Sequence, residues 1–290
     1  MNGEFRFRTP VEPIRTSWHI SHSDRILCLG SCFADEAGRR LEQDGFNVLV
    51  NPFGALYNPL SIRTCIARAI ADTPYARADL AEGPRGYHCL DYATRFSGPD
   101  ADVLLALLED TRLSLKEFLT QQPTIILTLG SAFVYRLADS GAVVGNCHKF
   151  PAATFTRSRI SVAEATEAIL HTAQLLFTLG ISRIILTVSP IRHLADGLHG
   201  NNLSKSTLML AADEAAATEP NRICYFPAYE ALIDDLRDYR FYAADMKHTY
   251  DVAADYVYKI FSDTFFDAAT RREALDCRAK YRASLHRPIL

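Results

Sequence analysis

Five short runs of almost uniformly apolar residues recur along the chain, and turn residues follow each of them. The runs cover residues 25–29, 48–50, 124–129, 183–188 and 223–226. Strands that are buried on both faces of a parallel sheet have this composition, because neither face meets water. The pattern therefore predicts five strands of one buried, mainly parallel sheet.

Segments with helical spacing of apolar residues separate these runs. After the first run, Ala34, Ala37 and Leu41 share one face of a helix, and Gly45 fits its C-terminal cap. Strands that alternate with helices form a parallel sheet with helices on both faces. The predicted fold is a three-layer α/β/α domain with a mainly parallel five-stranded sheet. The further predicted helices cover residues 60–70, 101–120, 161–180, 204–218, 249–265 and 268–284.

The alternation of strands and helices is interrupted in three places. Residues 133–136 and 142–144 flank the turn formed by residues 139–141, which predicts a small β-hairpin insertion. Residues 73–100 carry proline and glycine with little periodicity, so we expect a long ordered loop there. Residues 191–203 are polar and contain glycine, which predicts a second loop.

The predicted domain organisation follows from these elements. Pro10 and Pro13 interrupt residues 1–24, which we expect to form an irregular N-terminal arm. Residues 25–266 contain the alternating strands and helices and predict one domain, because no linker, internal repeat or low-complexity tract divides them. Residues 267–290 predict a charged C-terminal helical extension.

Composition and charge narrow the class of protein. The 290 residues suffice for one large α/β domain, and 48% hydrophobic with 22% charged residues is ordinary for a globular protein. The net charge of -3 gives no reason to expect nucleic acid or an anionic membrane surface as a partner. No run of about 18 apolar residues occurs, and residues 1–8 lack an apolar signal core, so we expect neither a membrane span nor a signal peptide.

The cysteines bear on the compartment and on possible cofactors. Their number is odd and no two have Cys-x-x-Cys spacing, so we expect reduced thiols in a cytoplasmic protein. No Cys and His spacing matches a zinc site, and neither a Walker loop nor Gly-x-Gly-x-x-Gly occurs, so no metal or cofactor is expected. The Gly-x-Ser-x-Gly elbow of ordinary α/β-hydrolases is also absent. The cysteines are residues 28, 32, 65, 89, 147, 224 and 277.

Ser31 follows the first predicted strand. Gly30 lets the chain turn sharply into a helix, which leaves the Ser31 hydroxyl at the carboxyl edge of the sheet, where ligands of such folds bind. The backbone N–H of Ser31 lies near a helix N-terminus, which stabilises developing negative charge. Taken alone, Ser31 fits a helix N-cap as well as a nucleophile, because serine favours that position.

An Asp-x-x-His sequence, Asp245 to His248, precedes the last long helix. A nucleophilic serine needs a base within hydrogen-bond reach, and the base needs an orienting carboxylate. Asp245 and His248 can face one pocket from a turn, although such a pair by itself is common on surfaces. Combined with Ser31 after the first strand, it predicts a catalytic triad. Cys32 is a rival nucleophile near the same helix N-terminus, but successive residues leave a turn in different directions.

This combination resembles the SGNH (GDSL-type) hydrolase superfamily, in which the serine follows strand one and Asp-x-x-His lies near the C-terminus. Within it, the sequence is similar to the GSCFA family, whose name matches residues 30–34. The resemblance covers most of residues 26–262 and implies the flavodoxin-like SGNH hydrolase fold. The other blocks that resemble the family are residues 51–54, 57–59, 146–149, 189–193, 204–205, 225–230 and 236–242.

The resemblance also implies the roles of single residues. Ser31 matches the nucleophile of the superfamily, Asp245 matches the acid, and His248 matches the base. The backbone N–H groups of Ser31 and Gly54 match two donors of the oxyanion hole. No cofactor is implied.

The chain departs from the superfamily pattern after the third main strand. The usual Gly-x-Asn-Asp is replaced by Gly-Ser-Ala-Phe at residues 130–133, and Ala132 has no side-chain donor. Loss of one oxyanion donor costs about 3 kcal/mol in the activation barrier. We therefore expect another amide to complete the hole, with Asn146 as the first candidate and Asn58 as the second.

Several basic residues are predicted at the same edge of the sheet. If they converge, they form a cationic pocket suited to a carboxylate, a phosphate or a polar sugar. Alternatively, they pair with nearby acids such as Glu230, Asp234 and Asp238. The candidate substrate-binding residues are His148, Lys149, Arg192, His193 and Lys205.

The residues and the resemblance together imply a serine esterase that acts on a polar acyl ester, such as an O-acetylated sugar, through an acyl-enzyme. Two alternatives remain open. An O-acyltransferase would use the same triad with a sugar hydroxyl in place of water, and a non-catalytic module would bind a carbohydrate or an anion. The expected partner is a small-molecule or carbohydrate ester, without nucleic acid or membrane. The sequence does not determine the oligomeric state.

Overall fold

The computed structural model describes residues 9–83 and 85–285. The chain forms small sheets as well as a main sheet, and helices connect most of the main strands. The strands are β1 (Arg25–Gly30), β2 (Asn47–Val50), β3 (Leu80–Gly83), β4 (Gly86–Cys89), β5 (Ser97–Gly98), β6 (Thr124–Leu129), β7 (Phe133–Leu137), β8 (Val143–Val144), β9 (Phe155–Arg159), β10 (Ile184–Val188) and β11 (Ile223–Phe226). The helices are α1 (Cys32–Gln43), α2 (Pro59–Ile70), α3 (Ala101–Thr120), α4 (Val162–Thr178), α5 (Gly197–Thr218), α6 (Ala228–Glu230), α7 (Asp251–Phe265) and α8 (Ala268–Leu285).

The main sheet has five parallel strands in the order β2, β1, β6, β10 and β11. In chain order of these five strands this is 2-1-3-4-5, the order of flavodoxin-like sheets. The predicted five-stranded parallel sheet and the three-layer α/β/α class are confirmed.

Adjacent residues of β1 face opposite helical layers, which explains why the strand is apolar throughout. Leu27 and Leu29 pack in a core formed with α2, α3, α4 and α5. Ile26 and Cys28 pack in a second core formed with α1, α7 and α8. All four side chains are at most 2% exposed, so both faces of the strand are shielded from water.

The structure differs from the sequence prediction in the irregular segments. The predicted loop at 73–100 contains a three-stranded antiparallel sheet of β3, β4 and β5. The predicted hairpin is confirmed as β7 and β8, and β9 extends it by a third strand.

Helix α5 begins at Gly197, seven residues before the predicted start. A Cβ atom on Gly200 would lie 2.5 Å from the Asp196 Cβ, so close packing excludes a side chain there. Glycine in this segment therefore reflects a close contact with Asp196, one helical turn earlier, rather than a loop.

Both ends of the described chain pack against the layer of α1 and α7. Ile20 is fully buried and its N–H donates to the Phe265 carbonyl at 2.7 Å, while the Trp18 ring stacks on Phe265 with centroids 5.5 Å apart. In α8, Arg278 donates two hydrogen bonds of 2.6 Å to the Asp44 carboxylate. The domain boundaries at 24/25 and 266/267 remain predictions, and residues 1–8 and 286–290 lie outside the described part.

The described residues contain neither a disulfide, nor a helix that could span a membrane, nor a cluster of metal ligands. All seven cysteines lie among the described residues and have free thiols. No helix in residues 9–83 and 85–285 is both long enough and apolar enough to cross a bilayer. In the same residues, no group of three His, Cys, Asp or Glu side chains is arranged to hold a metal ion.

Candidate active site

A cleft of about 500 Å³ opens at the carboxyl edge of the main sheet. Its walls come from the segments that follow β1, β2, β6 and β10 and from the turn that carries His248. The strand order reverses between β1 and β6, and ligands of open parallel sheets bind at this reversal point. The cleft therefore lies where ligands of such sheets bind.

Asp245 and His248 form a hydrogen-bonded pair, and His248 lies on one wall of this cleft. His248 Nδ1 donates to Asp245 Oδ2 at 2.5 Å. Asp245 Oδ1 accepts from the backbone N–H groups of Lys247 and His248, both at 3.0 Å, across a turn in which Met246 has φ +58°. These hydrogen bonds hold the pKa of Asp245 well below its usual value, and the bond from the His248 side chain contributes most. Among the described residues His248 Nε2 has no hydrogen-bond partner, so this nitrogen is free to act as a base.

Ser31 lies at the N-cap of α1, at the same edge of the sheet. Its N–H donates to the Thr128 carbonyl at 3.0 Å, and its Oγ accepts from the Phe33 N–H at 3.3 Å. The residue is 1% exposed, whereas its neighbour Cys32 lines the cleft. Within the described chain, no hydrogen bond joins Ser31 to His248. The N-cap interpretation of Ser31 is confirmed for this conformation, and its catalytic role stays a prediction.

Asn51 holds the turn that leads to Ser31. Its Oδ1 accepts from the Gly30 N–H at 2.9 Å, and its Nδ2 donates to Asp35 at 2.8 Å. Gly30 has φ +134°, and a Cβ atom there would lie 2.0 Å from the Thr128 carbonyl oxygen. In the sequence, Asn51 stands out only as part of a block that resembles the family. Its role depends on contacts between neighbouring strand ends, for which the local sequence has no signal.

Tyr57 joins the loops around Ser31. Its carbonyl accepts from the N–H groups of Gly130 and Ser131 at 2.8 and 2.9 Å, which ties the loop after β2 to the loop after β6. A Cβ atom on Gly130 would lie 3.0 Å from both the Ser31 Cβ and the Tyr57 ring. The Tyr57 hydroxyl is 3.3 Å from Cys32 Sγ. Tyr57 thus packs beside the turn that carries Ser31, and its local sequence gives no sign of this contact.

The two backbone donors predicted for the oxyanion hole already have acceptors within the protein. The Gly54 N–H donates to the Asn51 carbonyl at 2.8 Å, in a turn in which Gly54 has φ +75° and faces Ala93. Gly54 does not line the cleft. The Ser31 N–H is likewise occupied by the Thr128 carbonyl. In this conformation neither N–H is free to donate to an oxyanion, and both assignments stay predictions.

Asn146 and Asn58 both line the cleft, but their amides differ in what they can donate. Asn58 caps α2: its Oδ1 accepts from the Ser61 N–H at 2.9 Å and its Nδ2 donates to Ser61 Oγ at 3.0 Å. Asn146 Oδ1 accepts from the His148 N–H at 2.8 Å, and its Nδ2 has no partner among the described residues. Asn146 is therefore the better placed of the two predicted donors.

Lys205 is buried beneath the cleft and does not line it. Its Nζ donates to the carbonyls of Gly130 and Ser189, both at 2.7 Å, and the residue is 1% exposed. Burial lowers the pKa of Lys205 to about 7. The prediction of direct substrate binding is wrong for this side chain. It instead ties together the chain segments that follow β6 and β10.

His148 and Lys149 also lie away from the cleft lining. Both have left-handed backbone conformations, with φ +45° and +61°. His148 is buried, with its Nε2 3.0 Å from the Tyr92 carbonyl oxygen, and Lys149 is exposed on the surface. Neither side chain lines the cleft in this structure, and their contact with substrate stays a prediction.

Arg192 and His193 do line the cleft as predicted, and Arg157 and Lys247 line it as well. The His193 ring packs edge-on against Tyr57 with centroids 5.1 Å apart. Burial is the largest cause that lowers the pKa of His193 to about 4, and the charge of Lys205 is the second. The ring is therefore neutral at neutral pH. Its Nε2 is buried without a hydrogen-bond partner in the described chain.

The model of the GSCFA family matches residues 25–261. The chain belongs to the GSCFA family. The matched region begins at β1 and ends within α7, so it contains Ser31, both cleft asparagines, and the Asp245 and His248 pair. Comparison with curated proteins and with solved structures gives no match.

The cleft of this GSCFA protein combines three chemical features. An imidazole with a carboxylate on Nδ1 can take up and return a proton through Nε2. The N-terminus of α1 brings a hydroxyl and a thiol, Ser31 and Cys32, to the same edge. Cationic side chains and the free Asn146 amide supply donors for negative charge.

Proposed function

We propose that this GSCFA protein is a serine esterase of the SGNH type that acts on a polar acyl ester. The observation that carries the proposal is the 2.5 Å hydrogen bond between Asp245 Oδ2 and His248 Nδ1 at the cleft. A carboxylate on Nδ1 keeps the lone pair of the neutral ring on Nε2, as a general base requires. The seven free thiols suit a reducing compartment, so we place the reaction in the cytoplasm.

The proposed reaction begins with rotation of Ser31 Oγ away from the Phe33 amide. His248 Nε2 takes the Ser31 proton while Oγ attacks the ester carbonyl, and the Asn146 amide donates to the resulting oxyanion. The tetrahedral intermediate collapses as His248 returns the proton to the leaving alcohol, which leaves an acyl-Ser31 ester. Water, with His248 again as the base, then releases the acid and restores the serine.

A second nucleophile is favoured by one observation. Cys32 lines the cleft with His248, whereas Ser31 is 1% exposed. In this alternative the Cys32 thiol gives its proton to His248 and forms a thioester with the acyl group, and the remaining steps are unchanged.

Hydrolysis of p-nitrophenyl acetate tests the proposal. We expect Ser31→Ala and His248→Ala to lower the rate about 10³-fold or more, and Cys32→Ala to retain most of it. Ser158→Ala, which removes an exposed serine on β9, serves as the matched control and should behave as the wild type. Equal rates in Ser31→Ala and the wild type would refute the serine mechanism, and loss of activity in Cys32→Ala alone would favour the thiol.

Product analysis separates hydrolysis from acyl transfer. The same reaction is run with added sugars and the products are measured by mass spectrometry. Release of free acid at all sugar concentrations supports the esterase. Acylated sugar as the main product would show that a hydroxyl replaces water, which is the acyltransferase alternative. Covalent labelling of Ser31 by a fluorophosphonate probe, located by peptide mass spectrometry, would contradict a non-catalytic binding module.

A further inference from the structure

The charged side chains that line the cleft are all basic. Arg157, Arg192 and Lys247 line it together with His193 and His248, and no Asp or Glu among the described residues does so. The whole chain has a net charge of -3, so the excess of basic side chains in the cleft lining is a local feature. A concave surface of one charge sign raises the local concentration of ligands of the opposite sign.

Two of the three permanent cations are available to a ligand. The Arg157 guanidinium donates two hydrogen bonds to the Asp196 carboxylate, one of them at 2.6 Å, so its charge is already compensated. Arg192 and Lys247 form no ion pair with any described residue. Two of the three acids named as possible partners of the basic residues have other contacts: Glu230 accepts from the Tyr225 hydroxyl at 2.8 Å, and Asp238 lies 3.8 Å from Arg240.

Aromatic rings hold the Arg192 side chain in place. Its guanidinium carbon lies 4.1 Å from the centre of the Tyr242 ring and 5.1 Å from that of Tyr239. Stacking of this kind orients the planar group while its N–H edge stays free to donate. An arginine that is already oriented loses less side-chain entropy when it binds an anion.

Lys247 is tied to Arg192 through the backbone. The backbone N–H of Arg192 donates to the Lys247 carbonyl at 3.2 Å, which joins the loop after β10 to the turn that carries Asp245 and His248. Lys247 directly precedes His248, so both cations lie beside the proposed general base.

We infer that Arg192 and Lys247 form an anion subsite, and that the substrate is an ester with a carboxylate or phosphate group near the scissile bond. Arginine binds planar oxyanions with two parallel hydrogen bonds, and lysine adds a point charge. That the bound anion belongs to a substrate rests on the proposed esterase function, whereas binding of the anion does not require catalysis.

Titration calorimetry with two probes, succinate and inorganic phosphate, tests the subsite on the full chain. We expect at least one probe to bind, and Arg192→Gln and Lys247→Gln each to weaken it tenfold or more. Arg240→Gln is the matched control, because Arg240 is an exposed arginine outside the cleft lining. Binding of only one probe identifies the carboxylate or the phosphate as the group recognised. No binding of either probe, or equal binding by both glutamine variants and the wild type, would overturn the inference.

Kinetics with matched esters test whether the subsite serves catalysis. We compare mono-p-nitrophenyl succinate and p-nitrophenyl phosphonoacetate, which carry a carboxylate and a phosphonate, with neutral p-nitrophenyl acetate. The ratio of kcat/KM for the better anionic ester to that for the neutral ester should fall tenfold or more in Lys247→Gln. Arg240→Gln should leave this ratio unchanged. If no ester is hydrolysed, the esterase proposal fails and the titration alone decides the subsite; an unchanged ratio in Lys247→Gln with active enzyme refutes the substrate assignment.

Discussion

Asn51 Oδ1 accepts a hydrogen bond from the backbone N–H of Gly30 at 2.9 Å, inside the turn that leads from β1 to Ser31. The Asn51 side chain also donates to Asp35 on α1, and the residue is 4% exposed. The end of β2 therefore holds the end of β1 in place. Any role of Ser31 depends on this neighbouring strand.

Replacement of Asn51 by alanine should destabilise the protein. The buried Gly30 N–H would lose its acceptor, so we expect the free energy of unfolding to fall by about 2 kcal/mol. Asn47→Ala, at the exposed start of β2, is the control and should cost under about 0.5 kcal/mol. Urea unfolding followed by circular dichroism measures both variants. Equal midpoints would show that the Asn51 hydrogen bonds contribute nothing.

Gly30→Ala should be far more costly than the same change at Gly141. Both glycines have positive φ, but a Cβ at Gly30 would lie 2.0 Å from the Thr128 carbonyl oxygen, whereas nothing lies within 4 Å at Gly141. We expect about 1 kcal/mol for Gly141→Ala from the backbone conformation alone. We expect more than about 4 kcal/mol, or failure to fold, for Gly30→Ala. Thermal unfolding of both variants tests this, and a similar loss in the two would contradict the clash.

His193 should make the protein less stable in mild acid. Burial, then the charges of Lys205, His248 and Arg157, lower its pKa to about 4, while Asp196 acts in the opposite direction. The unfolded chain has a histidine pKa of about 6.5, so it binds the proton first as the pH falls. The contribution of His193 is complete above pH 6.5, is lost as the pH falls from about 6.5 to 4, and amounts to at most about 3 kcal/mol.

Unfolding experiments at pH 7 and pH 4.5 measure this effect. His193→Asn should show a smaller loss of stability between the two pH values than the wild type. His199→Asn removes an exposed histidine of α5 and should keep the wild-type dependence. If the two variants have the same pH dependence, His193 is not the group that titrates.

Arg278 should anchor α8 to the rest of the protein. It donates two hydrogen bonds of 2.6 Å to Asp44, which is 2% exposed and also accepts from the Tyr258 hydroxyl. Arg278→Ala leaves a buried carboxylate without its cation, so we expect a loss of about 3 kcal/mol and faster amide exchange in α8. Arg282→Ala, in the exposed last turn of α8, is the control. Unchanged exchange in Arg278→Ala would show that the apolar contacts of α8 suffice.

The local sequence was sufficient to predict the main sheet and the pair formed by Asp245 and His248. The strands have apolar residues at successive positions because helices cover both faces, and this pattern is visible without knowledge of which strands are neighbours. Asp245 and His248 are three residues apart, so a single turn can bring their side chains together. The proposed role of Ser31 depends on the family resemblance, because its local sequence fits a helix cap equally well.

The sequence by itself thus determined the layered α/β/α fold, the parallel strands and the position of the Asp-x-x-His turn, because these depend on periodicity and on residues close in the chain. Only the tertiary structure decided which basic side chains reach the cleft. Lys205 points into the protein to bind two carbonyls, while Arg192 and Lys247 meet through one backbone hydrogen bond. Residue type cannot distinguish these cases, because the partner of a buried polar group is set by chain segments that are distant in sequence.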